Sequence, residues 1–206
     1  TMLGVEKLLK FYELFPNFKI EVIEGSDKKV EELVLADTVD LGISVGPVNY
    51  ETFDESPWCA FDCCAFANEH STLGQKLQGR DRISLSELEG EPLVLENKDF
   101  KIYRELKKYC KTYGFDANIY FETVEIDNAL SIAAGGHATA IIPLPIAARC
   151  SYQNMKTVRF QEPLQWDWHF IKRKNIPASQ VELEFMDYLK HITKEKGWNE
   201  KRLELK

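Results

Sequence analysis

Apolar residues recur along the chain at helical and at alternating spacing, and those two rhythms divide it into elements. Gly4 to Phe15 has helical spacing, with Val5, Leu8, Leu9, Tyr12 and Phe15 on one stripe and Pro16 as its stop. Phe18 to Ile23 alternates apolar and polar residues before Gly25 and reads as a strand. Ser26 or Asp27 opens a helix through Ala36 that turns Val30, Leu33 and Val34 inward. Asp40 to Val45 is a short apolar strand ended by Gly46 and Pro47. The acidic stretch Asn49 to Pro57 reads as a loop, Trp58 to Ala67 as a strand, and the polar stretch His70 to Arg82 as a linker.

Beyond the linker, Ser84 or Ser86 precedes a single helical turn, and Glu91 to Glu96 is a buried strand. Asn97, Lys98 and Asp99 follow and cap a helix from Phe100 to Tyr113, which Gly114 ends as a left-handed cap. Ala117 to Glu122 is a strand. Thr123 and Glu125 then signal a helix start, Ile126, Ala129, Leu130, Ile132 and Ala133 form its stripe, and Gly135 and Gly136 stop it. His137 to Ile142, ended by Pro143, has the continuous apolar run of a strand in a parallel sheet. Strand, helix, glycine stop and strand make a βαβ unit, which places ligands at strand carboxyl ends and helix starts. A short helix over Leu144 to Cys150, strands over Met155 to Gln161 and Trp166 to Arg173, and a helix from Pro177 with Val181, Phe185, Leu189 and Ile192 inward complete the chain.

That central unit, ETVEIDNALSIAAGGHATAIIPLP from Glu122 to Pro145, resembles the second half of the effector-binding region of LysR-type transcriptional regulators. FYELFPNFKIEVIEG, Phe11 to Gly25, is similar to the family's first helix and the strand after it. ADTVDLGIS, Ala36 to Ser44, is similar to its next strand, and EHSTL, Glu69 to Leu73, stands where the family usually has His-Pro-Leu. The resemblance rests on order and spacing rather than on one motif, and it covers nearly the whole chain. In the family an apolar strand precedes the first helix and a winged helix-turn-helix precedes that, whereas this chain opens at Thr1 on the helix; a piece of a longer regulator is expected.

The resemblance implies an α/β fold of two Rossmann-like lobes joined by a two-strand hinge, like the type 2 periplasmic binding proteins. Residues 1–77 and 166–206 make the first lobe and residues 78–165 the second. Carried over position by position, it implies an effector cleft lined by Thr1, by Ser44, Val45 and Gly46, by Asn97, Lys98 and Asp99, and by Thr123, Val124 and Glu125. Asn, Asp, Thr and Glu at helix starts also serve simply as caps. The implied partners are a small-molecule effector and further copies of the chain in a homodimer or homotetramer, with Leu3, Lys7, Lys10 and Phe11 as a candidate contact. DNA is reached only through the N-terminal part outside this chain. Helix starts and Lys98 favour an anionic or zwitterionic effector, while Asp99, Glu125 and Asp127 oppose one.

Composition narrows the picture further. With 206 residues and 44% hydrophobic content the chain has material for two small lobes. A net charge of −7 argues against direct binding of nucleic acid, which requires Lys and Arg against phosphates. No apolar run approaches the ~20 residues of a membrane span and no leader precedes the first helix, so a cytoplasmic protein without a membrane partner is expected. Cys59, Cys63, Cys64, Cys110 and Cys150 are odd in number and irregularly spaced, which suits reduced thiols acting as small core hydrophobes. His70, His137, His169 and His191 have no metal-ligand spacing, and no nucleophile elbow, zinc-protease motif or phosphate loop occurs. No catalytic residue, metal or cofactor is therefore expected. The alternative to a sensor module is a free solute-binding protein of the same fold.

Overall fold

Helix α1, Val5–Leu14, turns inward a face different from the expected stripe. In the computed structural model, which describes residues 5–195, Phe11 is fully buried while Leu9 is 56% exposed. Phe11 meets Phe15, Phe185 and Tyr188 with ring centroids 4.6, 5.1 and 5.3 Å away. Aromatic rings bury more area than an aliphatic side chain and gain from tilted and edge-on contacts, so they decide the rotation of the helix. Phe11 is thus a core residue and not the surface contact expected of it; Leu3 lies outside the described residues. The next segment also departs from expectation. Residues 18–23 form no strand, because no described strand pairs with them. Instead the Tyr12 hydroxyl accepts from the Ile20 N–H at 2.8 Å and donates to the Ile20 carbonyl, and Val22 and Ile23 stay exposed.

The described residues fall into two compact units, one reaching to Cys59 and resuming at Asp167, the other running from Ala60 to Trp166. In the first, helix α2 (Asp27–Leu35) packs on strand β1 (Gly42–Val45). Ser26 caps α2, its hydroxyl accepting from the Lys29 N–H. A Cβ at Gly42 would lie 2.7 Å from Val34 and 2.8 Å from Ile171, so only glycine lets helix and strand come this close. β1 runs antiparallel to β8 (Gln165–Arg173), from Gly42 opposite Ile171 to Val45 opposite Trp168. Trp58 stacks on Trp168 and Phe170 and donates to the Thr193 hydroxyl of the last helix, α7 (Gln180–Glu195).

Strand β2 covers Phe53–Asn68, so it begins well inside the expected acidic loop. Its carboxylates have basic partners that are distant in sequence: Asp54 bonds Lys174 at 2.9 Å and the Asn175 N–H at 2.8 Å, and Glu55 meets His169 at 3.0 Å. Those bonds, Lys174 first, hold the Asp54 carboxyl below its ordinary range.

The second unit is a six-stranded sheet in the order β3-β7-β2-β6-β4-β5, formed by β3 (Arg82–Ile83), β4 (Leu93–Glu96), β5 (Ile119–Thr123), β6 (Thr139–Pro143), β7 (Met155–Phe160) and the latter part of β2. β2 alone runs against its neighbours. The expected linker contains helix α3 (Thr72–Lys76) as well as β3. Ser71 caps α3, and Leu73 and Leu77 are buried one turn apart, a helical spacing that the polar residues around them obscure. A Cβ at Gly74 would fall 1.9 Å from the Asn68 carbonyl oxygen. Helices α4 (Lys101–Thr112) and α5 (Ile126–Ala134) cover the parallel strands, and the short α6 (Leu144–Ala147) leads towards β7. Gly114 and Gly136 take φ of +86° and +76°, the left-handed geometry expected at helix stops.

Truncating Phe11 to Ala should cost about 3–5 kcal/mol of stability by urea unfolding, against less than about 0.5 kcal/mol for Leu9→Ala. The opposite order would restore the stripe read from the sequence.

Candidate functional site

In the second unit β4 and β5 are parallel neighbours with Glu96 level with Thr123, so Asn97 to Asp99 and Thr123 to Glu125 leave adjacent strand ends. The Asn97 N–H donates to the Thr123 carbonyl at 2.8 Å, which ties the two turns together. The Asn97 side-chain oxygen then accepts from the Asp99 N–H at 3.0 Å, a local turn that uses up its capping ability. As a result Phe100, rather than any of Asn97 to Asp99, is the N-cap of α4, and it makes no side-chain cap bond. In the next turn Thr123 is buried and its hydroxyl accepts from the Glu125 N–H at 3.0 Å and from the Asn128 amide at 3.3 Å. Glu125 is the N-cap of α5 and likewise makes no side-chain cap bond.

Two helix starts whose N-cap side chains make no cap bond therefore sit at the ends of neighbouring parallel strands. Backbone N–H groups at helix starts, with the positive ends of two helix dipoles, suit an anion or a polar acceptor. Lys98 and Glu125 are exposed beside them, and Val124 offers an apolar surface at 57% exposure. Asn128 was not read from the sequence as part of this site. Its signal was its place in the first turn of the helix after Thr123.

The first unit places Ser44, Val45 and Gly46 at the end of β1, and there they serve the fold. The Ser44 hydroxyl donates to Glu31 at 3.2 Å, the buried Val45 N–H to the Asp27 carboxylate at 3.1 Å, and the Gly46 N–H to the Asp167 carbonyl at 2.7 Å. Ser26 takes the capping role on α2, which leaves the Asp27 carboxylate to anchor β1. Thr1 lies outside the described residues.

A second carboxylate organises the other end of the sheet in the second unit. Glu162 accepts from the Ser84 hydroxyl at 2.7 Å, the Leu85 N–H at 2.9 Å and the Tyr113 hydroxyl. Burial pushes its pKa up, but those bonds outweigh burial and hold it below the ordinary range. Ser84 also forms a capping box with Glu87 over the turn Leu85–Leu88. The cysteines are free, and burial raises the Cys59 thiol to about 12 and lifts Cys64, Cys110 and Cys150 as well, so these sulfurs are neutral packing groups at neutral pH. Among the described residues no three His, Cys, Asp or Glu side chains are grouped to hold a metal, and no helix is long and apolar enough to cross a membrane.

Comparison with known proteins gives this geometry a family. The family described as LysR substrate binding domain matches residues 5–193, and the chain belongs to it. The HTH-type transcriptional regulator YwbI of Bacillus subtilis (strain 168) is 24% identical over 172 residues, 80% of this chain and 54% of that protein, so the chain spans about half the length of this curated relative. Among solved structures, the regulatory domain of CcmR from Synechocystis PCC6803 in complex with 2-PG matches with a TM-score of 0.80 at 16% identity, over 92% of this chain and 90% of that one. The effector binding domain of BenM with its effector benzoate matches with a TM-score of 0.78 at 17% identity, over 99% of this chain and 92% of that one. The fold is the α/β, type 2 periplasmic-binding-protein-like fold of LysR substrate-binding domains.

Asp27→Ala should destabilise the protein by about 1–3 kcal/mol, because it strands the buried Val45 N–H. Urea unfolding monitored by circular dichroism measures this.

Proposed function

We propose that the chain is the effector-sensing and self-associating module of a cytoplasmic LysR-type transcriptional regulator, and that it binds a small anionic or zwitterionic molecule. The observation that carries this reading is the pair of helix starts, α4 and α5, brought together at the ends of adjacent parallel strands. Asn97, Lys98 and Asp99 with Thr123, Val124 and Glu125 are the proposed contacts in the second unit. Backbone N–H groups and Lys98 recognise the acidic group, while Val124 meets an apolar part. Each exposed helix end contributes only about 0.3–1 kcal/mol, so Lys98 must outweigh Asp99, Glu125 and Asp127 for an anion to bind. The BenM domain was solved with benzoate, a carboxylate, which supports an acidic ligand class. DNA binding belongs to a winged helix-turn-helix outside this chain, and signalling rather than catalysis is the role of the module. YwbI, an HTH-type regulator, favours the sensor over a free solute-binding protein.

Thermal-shift screening of organic acids, amino acids, sugars and polyamines tests the ligand class. Stabilisation by an acid or amino acid, weakened in Lys98→Ala, is expected; stabilisation by sugars or polyamines alone, unchanged in Lys98→Ala, would overturn it.

Self-association is proposed through exposed apolar residues. In the first unit these are Leu9, Leu14, Val22 and Ile23 around the segment 18–23, and in the second Tyr120 and Phe121 on the edge strand β5. Sedimentation at micromolar concentration should show a dimer that Phe121→Asp weakens. A wild-type monomer at high micromolar concentration argues against the proposal.

A further inference from the structure

A row of side chains crosses the sheet of the second unit on the face of β7 that carries Arg159. Arg82 on β3 is level with Arg159 on β7, Arg159 with Cys64 on β2, and Cys64 with Ile142 on β6. Adjacent strands lie about 4.8 Å apart, so the two arginines are immediate neighbours on one face. Like charges placed this way repel and need a compensating partner. Among the described residues neither arginine has a carboxylate partner. Arg82 makes only a long bond of 3.4 Å to the Phe160 carbonyl. Arg159 is the sharper case, because its Nε and Nη2 are buried and meet no acceptor of the protein.

Asp81 contributes its backbone carbonyl, which accepts from the Arg159 N–H at 3.1 Å, and Glu162 is committed to Ser84, Leu85 and Tyr113. The guanidinium lies close enough to Cys64 to oppose the rise of that thiol, but a thiol kept neutral by burial is no counterion. Buried guanidinium nitrogens without an acceptor are costly, and the molecule contrasts them with Lys172, a buried residue that has Glu182 against it.

We propose that Arg82 and Arg159 form a binding site for a small oxyanion, the phosphate or carboxylate group of a ligand, at the β3–β7 edge and separate from the starts of α4 and α5. The two buried nitrogens of Arg159 form one side of a guanidinium fork and match two oxygens of one anionic group, and Arg82 adds a second charge from the exposed side. A planar carboxylate or a tetrahedral phosphate satisfies this arrangement, and a neutral molecule does not.

The test is titration of the whole chain with inorganic phosphate, and in parallel with succinate, against sodium chloride at equal ionic strength, read as thermal midpoint and binding heat. Saturable stabilisation by either oxyanion beyond that of chloride is expected in the wild type and, freed of any contribution from the effector residues, in Lys98→Ala, which is the background for the arginine variants. Arg159→Gln should abolish it, and Arg82→Gln should weaken it by roughly tenfold, the loss of one charge-assisted bond. If Arg159→Gln does not fold, Arg82→Gln decides, because Arg82 is exposed and its removal should not lower the midpoint in chloride. Which oxyanion binds distinguishes a phosphate from a carboxylate source. No saturable effect of either in the wild type, or one that persists in Arg159→Gln or is unaltered in Arg82→Gln, overturns the proposal.

Discussion

One constraint runs through the second unit: β2 must be buried on both faces while running against every strand beside it. Cys63, Cys64, Ala65, Phe66 and Ala67 are each no more than 2% exposed, which only small or apolar side chains allow at consecutive positions of a strand. From this strand the registers follow in a chain. Cys64 sets Ile142 on β6, β6 sets Val94 on β4 through Ala140, and β4 sets Thr123 on β5 through Glu96. The starts of α4 and α5 come together only at the end of that sequence of pairings. A polar residue within Cys63 to Ala67 would therefore disturb the candidate site without touching it.

The two units use similar polar residues for opposite ends. In the first, Asp27, Glu31 and Ser44 spend their capacity on one another and on the backbone of β1, so the end of that strand is locked. In the second, Asn97 and Thr123 satisfy only the turns they stand in and leave the helix starts after them without a side-chain cap. From the sequence, Asp27, Asn97 and Thr123 all read as helix-start residues. What separates them is whether a second element lies within reach of the side chain. The same contrast divides two cations, since Lys172 has Glu182, which Ser179 also bonds through its N–H and hydroxyl, whereas Arg159, with two buried nitrogens, has a second arginine beside it.

Much of the second unit was legible because its signals are local. The αL stops at Gly114 and Gly136, the stripe of α5 and the apolar run of β6 each follow from a handful of consecutive residues, and the order of these elements carried the resemblance to the LysR family. The candidate site was legible to the same degree: the turns at Asn97 to Asp99 and Thr123 to Glu125 are read as strand ends, and their adjacency follows from the parallel pairing of βαβ units. The use of Ser44 and Val45 by α2 was not legible, since nothing in the local pattern says which carboxylate will reach them.

By itself the sequence determined the helices other than α3, the small-residue strands of the second unit, the class of fold and the family, because periodicity, glycine stops and proline breaks act over a few residues. Tertiary structure alone decided the rotation of α1 onto Phe11, the loss of a strand at residues 18–23, the early start of β2 and the pairing of Arg82 with Arg159. Each of these depends on a partner far away in the chain: Phe185 and Tyr188 for the helix, Lys174 and His169 for β2, and β7 for Arg82. A residue's own neighbours set which elements it can join, but the free energy that chooses its face comes from contacts made only after the chain has folded back on itself.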